Sequence, residues 1–375
     1  MRIALFTEQF QPEAKGASET LVHLLDHLER RGHQSLLIAP EGSPTSYGRT
    51  RVLPPLESMR AKLSEFAPDL IHVLGPRAVG LHGLRLAETL RIPAIASYHA
   101  NLLIHENPWG EGLTDTLLWN YVREVHNLAD LSLAPSRATK FQMLEMDFRH
   151  VETWTQGVDP DLYAPQRRSL AMRHRLSNGQ PDKSLVLYAG RLSPENHVEQ
   201  LKPILDKLPK ARLVIVGDGP QFDWLRNYFQ DTATTFTGNL ENGELAEAYA
   251  SCDVFLQPAP SHGFSASALE SMASGLAVVA PHSGGLLDFA EHDRNSLLFS
   301  AGDSDEAAAH IKAILRKAHL AARLSYQARA TAEAWSWQIR LDALLERYQS
   351  LLDAQWPGYL MPAHIGRLTL SPNPS

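Results

Sequence analysis

The chain has 375 residues, enough for two domains with separate cores. It is 44% hydrophobic and 21% charged, a globular composition rather than a disordered one. A net charge of −7 gives no general attraction to nucleic acid, and the single cysteine, Cys252, excludes an internal disulfide and a cysteine-cluster metal site.

The N-terminus, MRIALFTEQF, has one basic residue and too short an apolar run for a signal peptide. No apolar run approaches the ~20 residues that span a bilayer. The lone cysteine fits a reducing cytoplasm, so a cytoplasmic protein is expected. Residues 2–6 predict a strand, 11–16 a polar loop, 18–31 an amphipathic helix stopped by Gly32, and 35–39 the next strand. Gly16 lacks a side chain, so its loop admits close approach of a ligand; read alone it is equally a simple turn. Residues 56–66 are weakly amphipathic and read best as a solvated surface helix. Further strands are predicted at 70–73, 94–97, 131–134 and 152–154, with helices at 77–90, 114–129 and 137–146. This alternation means a parallel sheet covered on both faces. His99 follows a strand at the sheet's carboxyl edge, where an imidazole can donate or accept a hydrogen bond. The irregular stretch 100–112 carries Asn101, His105 and Trp109 within reach of a ligand and is a candidate binding loop. His72 and His126 fall inside a strand and a helix, where structural roles prevail.

Gln156-Gly157-Val158-Asp159 closes the first half, and a helix is predicted over 167–176. A second series restarts with strands at 184–188, 212–217 and 234–237 and a helix at 242–250. Gly190-Arg191 follows the first of these strands. A guanidinium there suits phosphate, being planar, always charged and able to make forked bonds. Val254 to Gly285, VFLQPAPSHGFSASALESMASGLAVVAPHSGG, reads as strand, loop, helix and strand. Its helix starts near Ser265 at the carboxyl edge of a parallel sheet, where free N–H groups and the dipole attract phosphate. Glu270 lies in that helix. The remainder is helical, at 305–317, 320–334 and 337–352, with a loose tail at 371–375.

The stretch from Val254 to Gly285 resembles the nucleotide-sugar site of retaining GT-B glycosyltransferases of group 1. FTEQFQPEAKG, PDLIHVLGP, IPAIASYH and TQGVDPDLYAP also resemble segments of that class, most closely its sulfoquinovosyl-diacylglycerol synthase, or glycolipid, subgroup. The resemblance runs from about residue 2 to 348. It implies two Rossmann-like, doubly wound α/β domains with a cleft between them and C-terminal helices crossing back. The implied parts are an acceptor domain over 1–160, a donor domain over 161–335, and a crossing helix and tail over 336–375. Arg191 would clamp the diphosphate and Glu270 the ribose. Asn239 and Leu240 stand where relatives hold the base. Gly190, Gly217, Phe264, Ser265, Ala266 and Gly284 complete the implied donor pocket, with Gly16 and His99 on the sugar side.

Two departures touch the donor. Asn196 stands where the family has a lysine on the phosphates, and His262 where it has a glutamate on the sugar; His197, next to Asn196, is a further source of charge. Loss of a phosphate cation removes leaving-group stabilisation. The resemblance implies metal-independent transfer with retention, from a nucleotide diphosphate sugar, most readily a UDP-sugar, to a diacylglycerol-type lipid. It also implies peripheral contact with the inner face of the membrane. Two alternatives stand: transfer to a small molecule or polysaccharide, and a relative that binds the nucleotide sugar without turnover. A nucleotide-dependent dehydrogenase is disfavoured, because no GxGxxG follows the first strand.

Overall fold

The computed structural model describes residues 1–12, 16–55, 58–75, 77–98, 115–260 and 263–354. His99, Asn101, His105, Trp109, His262 and the tail at 371–375 lie outside the described residues.

The first half forms an eight-stranded sheet from β1 (Arg2–Thr7), β2 (Gln34–Ile38), β3 (Ser46–Tyr47), β4 (Thr50–Leu53), β5 (Leu70–Leu74), β6 (Ala94–Ser97), β7 (Leu131–Ala134) and β8 (Val151–Thr153). Its order is β3-β4-β2-β1-β5-β6-β7-β8, parallel except for the β3–β4 pair. The second half builds a parallel six-stranded sheet from β9 (Ser184–Ala189), β10 (Ala211–Val216), β11 (Thr234–Gly238), β12 (Val254–Leu256), β13 (Ala277–Pro281) and β14 (Ser296–Phe299). The order is β11-β10-β9-β12-β13-β14. Central strands such as β5 are buried at every position because helices cover both faces. In each sheet the strand order reverses beside its first strand, which opens a crevice at the carboxyl ends. This is the expected doubly wound architecture, made twice.

Three expectations are corrected. Strands β3 and β4, where polar residues interrupt the apolar pattern, and β14, a buried run of only four residues, add to the expected set. The helix expected over 167–176 starts at Leu170, where Ser169 Oγ accepts from Met172 N at 3.2 Å and caps it. The helix expected over 114–129 ends at His126.

The last helix, Trp337–Asp353, packs on the first sheet rather than the second. Trp337, Leu341, Leu344 and Tyr348 share one core with Ile3, Leu5 and Leu24. The crossing is pinned at Val158, whose N–H donates to Trp335 O at 3.1 Å and whose carbonyl accepts from Trp337 N at 3.0 Å. A Cβ on Gly157 would lie 2.6 Å from Trp337 N, so only glycine permits this approach. His72 is structural, bonded through Nε2 to Ser97 Oγ at 2.7 Å and through Nδ1 to Tyr348 OH.

Two more histidines sit under the same helix. The His23 ring stacks on Trp337, with centroids 4.5 Å apart, and His27 Nε2 meets Asp342 Oδ1 at 2.8 Å. Burial holds both imidazoles below the usual value of 6.5, against the opposing pull of Asp159 and Asp26 on His23 and of Asp342 on His27. The unfolded chain therefore binds more protons as pH falls below about 6.5. Stability carried by the neutral rings is complete above that pH and is lost as pH drops through it. The melting midpoint should fall between about pH 7.5 and 5.5, and His23→Phe, which keeps the stack, should flatten the fall. Parallel curves for the two proteins would contradict the assignment.

Candidate active site

The carboxyl ends of β9, β10 and β12 open onto a cavity of about 560 Å³ between the two sheets. From the first half it is lined by Gly16, Glu19 and Gln156. From the second come Gly190, Arg191, Asn196, Gly217, Asn239, Leu240, Phe264, Ser265, Ala266 and Glu270, among others. Ten of the residues named from sequence for the second half thus meet at one cavity. Gly284 does not line it but opens a 3-10 turn, Gly285–Asp288.

Glycine at 217 is obligatory. Its φ is +130°, and a Cβ would stand 2.0 Å from Gly190 O, so the ends of β9 and β10 touch through bare backbone. This contact sets Arg191 at the mouth. Arg191 is exposed, and its guanidinium makes no hydrogen bond or ion pair with the described residues. Among the described lining residues it is the only cation, facing the carboxyls of Glu19, Asp218 and Glu270. A diphosphate here would be met by one guanidinium and by the first turn of the helix Ala266–Ala273.

Asn196 lines the cavity, but its amide is engaged. Nδ2 donates to Arg191 O at 2.9 Å and to Ser193 Oγ at 3.1 Å, tying the loop after β9 together. His197 is corrected as a source of charge for the donor. It adopts φ +46°, does not line the cavity and turns its Nδ1 to Glu199 Oε1 at 3.3 Å.

Glu270 is half-buried and held by a residue the sequence reading missed. Tyr249 OH donates to Glu270 Oε2 at 2.9 Å. Burial, and then the charge of Glu270, push the Tyr249 phenol well above its usual range, so it stays a donor. Gln257, also missed, accepts from Ser265 Oγ at 2.6 Å and donates to Ala259 O at 2.8 Å. These bonds fix the loop that enters the helix. Gln156 Nε2 is anchored on Thr20 Oγ1 at 2.9 Å. A polar side chain directly after the apolar strand VFL is the signal that would have found Gln257.

Residues 173–331 match the model of the glycosyl transferases group 1, and residues 14–162 match that of glycosyltransferase family 4. The chain is 34% identical to a GDP-mannose-dependent alpha-mannosyltransferase of Mycobacterium tuberculosis, over 94% of this chain and 97% of that one. The chain belongs to the group 1 glycosyltransferases. It is also 31% identical to the sulfoquinovosyl transferase SQD2 of Arabidopsis thaliana, over 90% of this chain and 71% of that one. In fold it resembles Anabaena HepE, solved in complex with UDP, with a TM-score of 0.74 at 20% identity, covering 93% of this chain and all of that one. The architecture is therefore GT-B, and the protein is a hexose-transferring enzyme that works from a nucleotide sugar. Among the described residues no helix is long and apolar enough to cross a membrane.

Proposed function

We propose that this protein transfers a hexose, with retention at the anomeric carbon and without a metal, from a nucleoside diphosphate sugar to a diacylglycerol-type lipid. The observation that carries the donor half is the convergence of Arg191, Glu270 and the first turn of the helix Ala266–Ala273 on one cavity between the sheets. Arg191 takes the departing diphosphate and Glu270 the ribose hydroxyls. Gly190, Gly217, Asn239, Leu240, Phe264, Ser265 and Ala266 shape the nucleotide pocket. By the family resemblance Gly16, His99 and His262 are assigned to the sugar, and His262 in place of glutamate alters which sugar is accepted.

In the reaction the bond from the sugar C1 to the β-phosphate oxygen breaks as the acceptor oxygen bonds to C1. The acceptor proton leaves with the diphosphate. Retention requires attack from the face the diphosphate vacates. Closure of the two halves about the crossing at Val158 excludes water from this step. The resemblance to glycolipid synthases supports the lipid acceptor and contact with the inner membrane face. It also supports a UDP-sugar, whereas the name of the similar mycobacterial enzyme puts GDP-mannose beside it.

The test is release of nucleoside diphosphate from UDP- and GDP-hexoses, with and without diacylglycerol vesicles. Vesicle-dependent release supports the proposal and identifies the donor. Release that needs only a soluble acceptor removes the lipid.

A second reading, binding without turnover, is favoured by one observation: the Asn196 amide is spent on its own loop. Asn196→Lys restores a cation beside the phosphates. It should raise turnover about tenfold or more, since a charge-assisted hydrogen bond to a leaving group contributes ~1.5–3 kcal/mol. A lysine variant with unchanged rate would show that this position does not limit the reaction.

A further inference from the structure

A second cavity, of about 270 Å³, lies where the crossing helix meets both halves. Arg137, Thr155, Arg340 and Arg347 line it together with Asp288 and Trp335 of the second half. The charges there do not balance. Arg137 Nε bonds to Asp288 Oδ1 at 2.8 Å, and Arg347 Nε bonds to Glu152 Oε2 at 3.0 Å. Arg340 has no such partner among the described residues. Its guanidinium lies over the Trp335 ring, 4.8 Å from the centroid, and its buried Nε has no hydrogen-bond partner among the described residues.

A second orphan lines the same cavity. Thr155 is 3% exposed, and its Oγ1 has no hydrogen-bond partner either. A buried hydroxyl and a buried guanidinium N–H left unsatisfied together are costly unless a ligand meets both. An acceptor with several oxygens and negative charge fits both needs. Burial, and then the charge of Arg347, already weigh against the Arg340 cation, which an anion would relieve.

We propose that this cavity is a second anion site, taking a phosphate-class oxyanion on Arg340 and Thr155, separate from the donor diphosphate. The two sites share a wall. Thr155 precedes Gln156, which lines the donor cavity, and Trp335 stacks on Phe264 of the donor cavity with centroids 6.1 Å apart. The anion sits between halves that must close, so its occupancy braces the crossing. The proposal is independent of which donor or acceptor the enzyme uses.

The test is calorimetric titration of the full chain with inorganic phosphate, and separately with vesicles containing phosphatidic acid. Wild type is compared with Arg340→Gln, Thr155→Val and Arg191→Ala. Arg340→Gln should weaken binding by roughly tenfold or more, as expected for loss of a charged hydrogen bond, and Thr155→Val severalfold. Arg191→Ala should leave binding to this site intact. Thr155→Val removes only the orphan hydroxyl and keeps the fold, so it decides the matter if Arg340→Gln is unstable. Vesicle binding that depends on Arg340, without binding of inorganic phosphate, supports the site and makes a lipid headgroup the source. Binding lost in Arg191→Ala but kept in Arg340→Gln and Thr155→Val places the anion in the donor cavity and overturns the proposal. No binding of either probe overturns it as well.

Discussion

Glu270→Ala is expected to weaken donor binding by about 10–100-fold, the loss that follows removal of one charged hydrogen-bonding partner. The carboxyl lies half-buried at the cavity wall, where Tyr249 OH donates to Oε2 and Tyr163 also hydrogen-bonds to it. Alanine also strands the fully buried Tyr249 hydroxyl, so it should lower the melting midpoint as well. Glu270→Gln separates the two effects. An amide oxygen still accepts from Tyr249, so stability should be nearly kept while affinity falls, because the charge is gone. A glutamine variant with wild-type affinity would take Glu270 out of the donor site.

Arg173→Ala should cost about 3–5 kcal/mol of folding free energy, the range for breaking a buried ion pair by deleting one partner. Arg173 is 9% exposed and makes five side-chain hydrogen bonds. Two go to Asp253, at 3.1 and 3.0 Å, and three to the carbonyls of Pro181, Ser251 and Lys183. Asp253 Oδ2 also accepts from Leu185 N, at the start of β9. The arginine thus joins the helix Leu170–Leu176 to the start of the second sheet. Arg173→Lys should recover little, since one ammonium cannot replace a five-donor fork. Urea unfolding measures the loss, and a value below about 1 kcal/mol would show that the network contributes little.

The repeated strand–helix alternation was legible because central parallel strands are continuous apolar runs, as in RIALFT and ARLVIV. Edge strands lack that signature. β3 is Ser46–Tyr47 alone, and β4 alternates buried and exposed positions. At the cavity, Arg191 and Glu270 were readable because a charged residue just past a strand, or in the first turns of a helix, is aimed at the sheet's carboxyl edge. Tyr249 was not readable. Its role arises only when the helix Asn242–Ser251 packs beside Ala266–Ala273, a tertiary fact with no local sequence mark. His197 failed for a related reason: its left-handed backbone turns the ring toward Glu199.

The most direct measurement is calorimetric titration of UDP, GDP, ADP and their hexose conjugates into the wild-type protein, Arg191→Ala and Glu270→Ala. Binding of one nucleoside diphosphate series, weakened by both substitutions, is the predicted result. Failure of every nucleotide to bind, or binding that neither substitution alters, would contradict the assignment of the cavity between the sheets as the donor site.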